Sequence, residues 1–336
     1  MNIVIVLFVT LVMTIGLLGE TMDKILKNTV NVDIVAQVNE GHIKFDSVQD
    51  RQKYLDSQKD LQYKSLGLNE PWYSPTRFFN TLFKVAILDL GNSHFFTTNS
   101  GSSSVRDIVI ERTPNTLLLF ATSTIVIIII GLFLGPFVAN KVGSIWDRMT
   151  SALAVFSTSF PTWWIGMLMI YLLAFTYHIF PARSTPLTSP SDVSYIGDLL
   201  YHMTLPFITL ILVGFGSWAY IVRYFVEGVL SEDYITSKRA IGISKRKILY
   251  SHALKNAASP IVTIIALSLA SSFGGSIIVE AVFDWPGIGK LYYDAIGVSD
   301  VPLIIGLTYV FTLIFVISVF IMELFYAFFD PRIKTA

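Results

Sequence analysis

The chain has 336 residues, of which 53% are hydrophobic and 14% charged, and its mean hydropathy is +0.61. This composition suits lipid better than water and excludes an ordinary soluble domain. The net charge is zero, which points to no polyanionic partner such as nucleic acid, and cysteine is absent, which excludes a disulfide framework and a thiolate zinc site. The five histidines are scattered along the chain, so no metal site is expected from them.

Six long uncharged runs predict an all-α polytopic membrane protein with about six transmembrane helices. A span needs about 20 mostly apolar residues to cross a hydrocarbon core of about 30 Å. The runs cover residues 1–19, 113–140, 149–182, 199–222, 256–279 and 301–322. The first run is either a retained helix or a cleaved signal peptide. Its apolar stretch is long for a signal peptide and no Ala-x-Ala site follows it, so we expect a retained helix.

A polar region after the first run is expected to form an extracytoplasmic cap over residues 20–112. The short loops beyond it are asymmetric, with eleven Lys and Arg residues on one face of the membrane and two on the other. Because basic residues favour the cytoplasmic side, both ends of the chain are predicted to be cytoplasmic and the cap to lie outside. The rest of the chain then divides into a transmembrane domain, residues 113–327, and a cytoplasmic tail, residues 328–336.

One polar island, residues 231–258 followed by Pro260, interrupts the hydrophobic chain on the cytoplasmic side. Ser231 and the two acids after it predict a helix start, and Gly242 predicts its end. Ser244 is expected to cap a second helix that ends before Pro260. Two short helices meeting at a glycine would form a compact knob that a soluble partner can grip, and residues 231–258 are called the knob below. Its basic residues could instead bind anionic lipid headgroups, but that alternative predicts no glycine-centred spacing.

Short motifs recur along the chain in a fixed order. Those in the knob are Asp233-Tyr234, Arg239-Ala240, Gly242, residues 252–257 and Pro260. Those elsewhere are L-G-L with Pro71 (66–71), D-L-G-N-S (89–93), R-T-P-N-T-L (112–117), E-A-V-F with W-P-G-I-G (280–289) and D-P-R (330–332). Together they resemble the EAA loop and the accompanying motifs of ABC importer permeases in the dipeptide/oligopeptide branch.

The chain departs from this family's pattern in two regions. In the knob, Ile241 stands where the family usually has a basic residue, and Ser237 with Lys238 is a loose version of its small-residue step. The family's P-G-D-P motif after the first span is absent, so the fold of residues 20–65 stays open.

The resemblance implies the type I ABC importer fold and a non-enzymatic permease subunit that forms half of the pathway for di- or oligopeptides. It also implies a second homologous permease, two ATP-binding cassette subunits or one fused subunit, an extracytoplasmic solute-binding protein and surrounding lipid, in the plasma membrane of a prokaryote. The chain has no Walker A pattern, so ATP and Mg are expected on the partner subunits, and no catalytic residue or cofactor is expected here. The same machinery would also suit import of an oligosaccharide or nickel.

The resemblance also assigns roles to individual residues. ATPase coupling is expected at Asp233, Tyr234, Arg239, Ala240, Gly242, His252, Leu254 and Asn256. Gly242 is expected to act as a pivot with positive φ, where any side chain costs about 1–2 kcal/mol. Asn115 and Glu280 are candidates for the pathway or outer gate, and the alternative for Glu280 is to hold the fold of the outer loop.

Other function classes fit the sequence less well. An ion- or proton-coupled carrier predicts acidic residues in the middle of spans, whereas Glu280 and Glu323 lie at span ends. A membrane receptor or scaffold with an external ligand-binding cap would explain residues 20–112 but not the patterned knob. An intramembrane enzyme would need a motif such as H-E-x-x-H or G-x-S-x-G, and neither occurs in the predicted spans.

Overall fold

The structure is a computed structural model that describes residues 23–24, 27–28, 30–38, 45, 47–65 and 67–329, without the side chains of residues 81, 84–86 and 321–329. Within this part the chain is helical, apart from loops and one isolated antiparallel bridge between Asn92 and Ser104. The predicted first span, the motif residue Leu66 and the D-P-R motif lie outside the described residues, so they remain predictions.

The helices of the described part follow one another through short loops. In chain order they are α1 (Val48–Ser65), α2 (Pro75–Ala86), α3 (Val105–Ala139), α4 (Ile145–Ser159), α5 (Thr162–Thr176), α6 (Tyr195–Leu230), α7 (Asp233–Ala240), α8 (Lys245–Asn256), α9 (Ala258–Ser272), α10 (Ile277–Phe283), α11 (Ile288–Gly297) and α12 (Val301–Phe329). Two of them include a wider π-helical stretch, Ile170–Thr176 in α5 and Ile248–Ala253 in α8.

Three single helices of the described part are long and apolar enough to cross a membrane, namely α3, α6 and α12 over Val301–Phe320. Two bent pairs also qualify when each is counted as one span: α4 with α5, bent by 100°, and α8 with α9, bent by 68°. The described residues therefore contain three spans, or up to five. The all-α membrane fold agrees with the sequence prediction, while the predicted count of six includes the first run, which is not described.

Two apolar runs that look continuous in the sequence are interrupted in the structure, one at the bend between α4 and α5 and one after α9. In the third run, Phe160 is extended (φ −111°, ψ 131°) immediately before Pro161. A residue before proline disfavours the helical conformation, and Pro161 lacks the N–H that would continue α4, so the helix breaks there. The fifth run breaks after α9, where Gly275 has φ +61°. Neither break introduces a charged residue, so counting uncharged runs does not reveal it.

Two compact units make up the chain: residues 1–109 with 295–313, and residues 110–294 with 314–336. In the first unit, the helical residues 30–38 pack against α1 through the buried side chains of Val30, Ile34, Val38 and Leu55. The Tyr63 hydroxyl donates a hydrogen bond of 3.1 Å to Asn31 Oδ1 across the same contact. This small core shows that part of the predicted cap region is folded.

Asp300, a fully buried residue immediately before α12, ties the loop after α2 to that helix in the first unit. Its Oδ2 accepts hydrogen bonds from Ser93 Oγ (2.6 Å), His94 N (3.0 Å) and Phe95 N (3.2 Å). Its Oδ1 accepts from Leu303 N at 3.3 Å, as a helix cap does. The D-L-G-N-S motif is therefore held against the start of a membrane span by one carboxylate.

Replacing Asp300 with asparagine should destabilise the protein by about 2 kcal/mol, because a neutral amide replaces a charge-assisted acceptor in a buried site. The measurement is reversible unfolding by SDS titration in mixed micelles. The control is Asp192→Asn, since Asp192 is an exposed loop residue. Equal stabilities of the two variants would contradict this role of Asp300.

In the second unit, α3 and α6 approach closely at two glycines. A Cβ added to Gly135 would lie 2.5 Å from Val222 Cγ1, and one added to Gly131 would lie 3.1 Å from Trp218 Cβ. Small residues allow this approach, as is common between membrane helices. Trp218, Val222 and Val226 of α6 lie in one buried cluster with Ala253 and Ala257 at the end of the knob. Because these side chains share one cluster, a movement of the knob would be transmitted directly to α6.

Candidate functional site

The first half of the knob is α7, which ends in a Schellman motif. Gly242 has φ +81°, as the sequence pattern predicts. Its N–H donates to Arg239 O at 3.0 Å, and Ile243 N donates to Lys238 O at 3.2 Å, which satisfies two carbonyls at the helix end. No atom of the described chain lies within 4 Å of the position that a Cβ would take. The glycine is therefore required here by its backbone conformation and not by crowding within the chain.

The second half of the knob, α8, packs on α7 through an apolar seam and two polar contacts. Ile235 of α7 and Ile248 and Ala253 of α8 are buried. Lys238 Nζ lies 3.0 Å from His252 Nδ1, and Asn256 Nδ2 donates to the Tyr234 hydroxyl at 2.5 Å. Side chains from both helices thus hold the knob together as one body.

The knob is attached to the spans at its far end. The Tyr250 hydroxyl, in the π-helical stretch of α8, donates to the Phe133 carbonyl of α3 at 2.9 Å. Leu254 packs against the buried cluster that contains Val222 and Ala257. Sequence reasoning did not single out Tyr250, and its only signal was an aromatic residue within the second knob helix.

The residues predicted to contact an ATPase fall into two groups. One group is exposed at the knob surface: Asp233, Arg239, Ala240, Gly242 and Asn256. The other is partly buried and makes contacts inside the chain: Tyr234, His252 and Leu254. Ile241, which departs from the family pattern, is 76% exposed beside Gly242. The first group and Ile241 are therefore available to a partner, whereas the second group stabilises the knob.

One helix boundary in the knob differs from the prediction, and the others agree with it. Glu232, with φ −77° and ψ 147°, is the N-cap residue of α7, whereas the Ser231 hydroxyl donates back to Gly228 O, so the prediction of Ser231 as N-cap is wrong. Ser244 precedes α8 as predicted, but its side chain forms no capping hydrogen bond. Pro260 lies in the first turn of α9, where its missing N–H has no intrahelical partner to lose. The second knob helix ends at Asn256, before Pro260 as predicted.

A buried ion pair links α4 and α6 next to the knob, and sequence reasoning missed it. Arg223 Nε donates to Asp147 Oδ1 at 2.5 Å, and Nη2 donates to Oδ2 at 3.2 Å. Each side chain is only 11% exposed. Asp147 Oδ2 also accepts from Gly143 N at 2.8 Å, and Arg223 Nη1 lies 2.9 Å from Glu227 Oε2. The partners are 76 residues apart in the chain, so no local pattern could pair them.

A second constellation joins α3, α10 and the loop that follows α10; we call Asn115, Thr116, Glu280 and residues 285–290 the outer latch. Glu280 is fully buried, and its carboxylate accepts hydrogen bonds from Thr116 Oγ1 (2.9 Å), Gly289 N (2.8 Å) and Lys290 N (3.1 Å). Thr116 Oγ1 in turn accepts from Ile288 N at 2.8 Å. The carboxylate thus holds the W-P-G-I-G motif against α3.

Asn115 completes the latch through its backbone and its side chain. Asn115 Nδ2 donates to Pro286 O at 2.9 Å, and Trp285 Nε1 donates to Asn115 O at 3.0 Å. Gly289 leaves no room for a side chain, because an added Cβ would lie 3.0 Å from the Glu280 carboxyl carbon. The two candidate gate residues, Asn115 and Glu280, are therefore brought together, and Thr116 and Trp285 join them.

Burial raises the pKa of Glu280 from its ordinary value of 4.5 to about 7, against the opposite effect of the hydrogen bonds from Lys290 N, Thr116 and Gly289 N. The Lys290 ammonium lies closer to other acids, 3.3 Å from Asp284 Oδ1 and 2.6 Å from Asp294 Oδ2. Among the residues described, no group of three or more His, Asp or Glu side chains could hold a metal ion.

The sequence of this chain is similar to those of several known proteins. Residues 108–335 match the family model described as "Binding-protein-dependent transport system inner membrane component". The chain is 30% identical over 282 residues to the oligopeptide transport system permease protein AppB of Bacillus subtilis (strain 168), covering 84% of this chain and 87% of the relative. It is 34% identical to the dipeptide transport system permease protein DppB of the same organism, covering 69% and 72% of the two chains. It is 30% identical to the glutathione transport system permease protein GsiC of Escherichia coli (strain K12), covering 82% and 84%.

Proposed function

Since the chain belongs to the family of binding-protein-dependent transport system inner membrane components, it is an integral membrane permease subunit of an ABC importer, and we propose that its cargo is a di- or oligopeptide. The three relatives named above are permeases for oligopeptides, dipeptides and glutathione, which is itself a short peptide. This common chemistry is the observation that supports a peptide over an oligosaccharide or nickel.

We further propose that the chain forms half of a pathway completed by a second, homologous permease in the plasma membrane of a prokaryote. An extracytoplasmic solute-binding protein would deliver the peptide, and both chain ends would be cytoplasmic. ATP and Mg would bind two ATP-binding cassette subunits, or one fused subunit, and this chain would carry no ATPase activity. The orientation rests on the distribution of basic residues in the loops.

We propose that the ATPase subunits bind the permease at the knob. Its exposed surface includes Asp233, Arg239, Ala240, Gly242 and Asn256, and its internal hydrogen bonds would let it move as one body. ATP-driven closure of the partner subunits would pull on this surface. The pull would reach α3 through Tyr250 and α6 through the cluster around Val222. The nucleotide would thereby shift an equilibrium between two arrangements of the spans.

At the outer side, we propose that the latch holds the loop of residues 285–290 in place beside the pathway. The full burial of Glu280 and its three donors support the fold-holding alternative for this residue over direct contact with cargo. Asn115, which is only partly buried, is the better candidate of the two for contact with a passing peptide.

The first experiment is affinity purification of the tagged chain from mild detergent, comparing the wild type with Gly242→Arg. An ATPase should copurify with the wild type and be lost from the variant, because the arginine adds about 1–2 kcal/mol of backbone strain and a bulky charge at the grip. Identification of the copurifying subunits by mass spectrometry is the readout.

The matched control is Gly143→Arg. Gly143 also has a positive φ, +77°, also has no atom of the described chain within 4 Å of an added Cβ, and lies in another loop, between α3 and α4. It should keep the ATPase. Loss of the ATPase from both variants would show that strain alone explains the effect, and no ATPase with a well-folded wild type would contradict the importer assembly.

A further inference from the structure

On the side of the chain that the proposed orientation puts outside the cell, helix α2 carries an exposed stripe of large apolar side chains. Phe79, Phe83 and Ile87 follow at intervals of four residues, and their exposed fractions are 60%, 66% and 56%. Ile87 N donates to Phe83 O at 3.1 Å, so the helical turn extends to Ile87 and the three side chains share one face. Such clusters are rare on surfaces that face only water and indicate an unfilled contact.

The opposite face of α2 is fixed to the protein. Arg77, two residues before Phe79 and therefore on the far side of the helix, donates from Nη1 and Nη2 to the two Asp23 carboxylate oxygens at 3.0 and 2.5 Å. Arg77 Nη1 also donates to Glu70 O at 2.8 Å. These contacts, with both charged side chains only 14% exposed, set the rotation of α2 about its axis. The ion pair thus leaves the apolar stripe on the opposite, exposed face of α2.

The position of the stripe along the membrane normal follows from the residues just after it. Leu90 packs in the first unit beside Val105, at the start of α3, and Gly306 of α12; a Cβ on Gly306 would lie 2.5 Å from Val105 Cγ1 and 3.2 Å from Leu90 Cδ1. Gly306 lies five residues into α12, about 8 Å along the helix from its start. Ile87 and Leu90 are three positions apart in the sequence, so their Cα atoms lie at most about 11 Å apart.

These distances keep the end of α2 near the start of α12, which is the end of a candidate span and is therefore expected to lie near the lipid headgroups. The headgroup region on each side of a bilayer is about 5–8 Å thick, and amphipathic helices bury their apolar face about 5–10 Å into its boundary with the acyl chains. Asp300 holds the same loop against the start of α12, and this restricts how far the end of α2 can lie from that helix.

We propose that α2 is an interfacial helix that lies in the outer leaflet of the membrane, with Phe79, Phe83 and Ile87 inserted at the boundary between headgroups and acyl chains. The partner of this surface is the phospholipid bilayer. The helix thereby anchors the extracytoplasmic segment of the chain at a fixed depth, independently of which cargo the permease carries.

The test uses site-directed spin labels, since the chain contains no cysteine and needs no background substitutions. Phe79→Cys and Phe83→Cys are labelled with a nitroxide in the full-length chain, which is reconstituted with its copurifying subunits in nanodiscs of phosphatidylcholine and phosphatidylglycerol. Collision with oxygen, which partitions into lipid, is compared with collision with a water-soluble nickel chelate. The aqueous control is Lys53→Cys on the exposed face of α1.

The expected result is a ratio of oxygen to nickel collisions that is several-fold higher at both phenylalanine positions than at position 53. Two results would overturn the proposal. A nickel accessibility at positions 79 and 83 equal to that at position 53 would place the stripe in water. Low accessibility to both reagents would show that a protein, the second permease or the binding protein, covers the stripe instead.

Discussion

Replacing Arg223 with methionine should destabilise the protein by about 3–5 kcal/mol, because it leaves the Asp147 carboxylate buried without its cation. The pair is bidentate, and both side chains are 11% exposed. Solvent screening, which makes most surface ion pairs worth less than about 1 kcal/mol, is therefore weak here. SDS-titrated unfolding in mixed micelles measures the change.

Two further variants separate the buried charge from other effects of the substitution. The combination Asp147→Asn with Arg223→Met removes both charges while the asparagine oxygen still accepts from Gly143 N, so it should recover most of the lost stability. Arg148→Met removes an exposed arginine from the same helix as Asp147 and should change stability by less than about 0.5 kcal/mol. If Arg223→Met changed the stability as little as Arg148→Met, the ion pair would not stabilise the packing of α4 against α6.

The stability of the wild type should fall as the pH rises from about 4.5 to about 7, by about 3 kcal/mol, because of Glu280. A buried carboxyl whose pKa is raised binds its proton more tightly in the folded chain than in the unfolded one. Its full contribution is therefore present below pH 4.5 and is lost as the group ionises through its folded pKa. Unfolding measured at pH 5, 6, 7 and 8 gives the slope.

The variant Glu280→Gln should remove this slope and exceed the wild type in stability at pH 8. A glutamine oxygen can accept from Gly289 N and Lys290 N, and its amide can donate to Thr116 Oγ1, so the hydrogen bonds of the latch are retained without a charge. Asp284, Lys290 and Asp294 are unchanged in the variant, so the difference between the two pH profiles isolates Glu280. Parallel profiles would rule out Glu280 as the titrating group.

Sequence reasoning reached the membrane class, the family and the outline of the knob. Membrane spans are readable because lipid imposes long uncharged stretches, and Gly242 is readable because a left-handed residue at a helix end strongly favours glycine. The family match and the positive φ of Gly242 confirm these predictions. The roles assigned to individual knob residues remain predictions.

Sequence reasoning was weaker where a residue's role depends on distant partners. His252 was predicted to contact the ATPase; it lies partly buried beside Lys238, and its contact with a partner stays a prediction. The sequence left two roles open for Glu280, as part of the outer gate or as a residue that holds the fold of the outer loop. Only its burial against Thr116 and Gly289 favours the second role. Asp147 and Asp300 attracted no prediction, because a single acid at the end of an apolar run has no distinctive local pattern.

Local chemistry therefore predicts which parts of this chain enter lipid and which face the cytoplasm, and it defines where the knob turns. These features depend on properties of consecutive residues: apolar length, basic charge and backbone conformation. Tertiary packing alone defines which buried charges are neutralised and which side chains of the knob and of α2 stay exposed. These features depend on contacts such as Arg223 with Asp147 and Asp300 with Ser93, whose partners lie 76 and 207 residues apart and meet only when the helices pack.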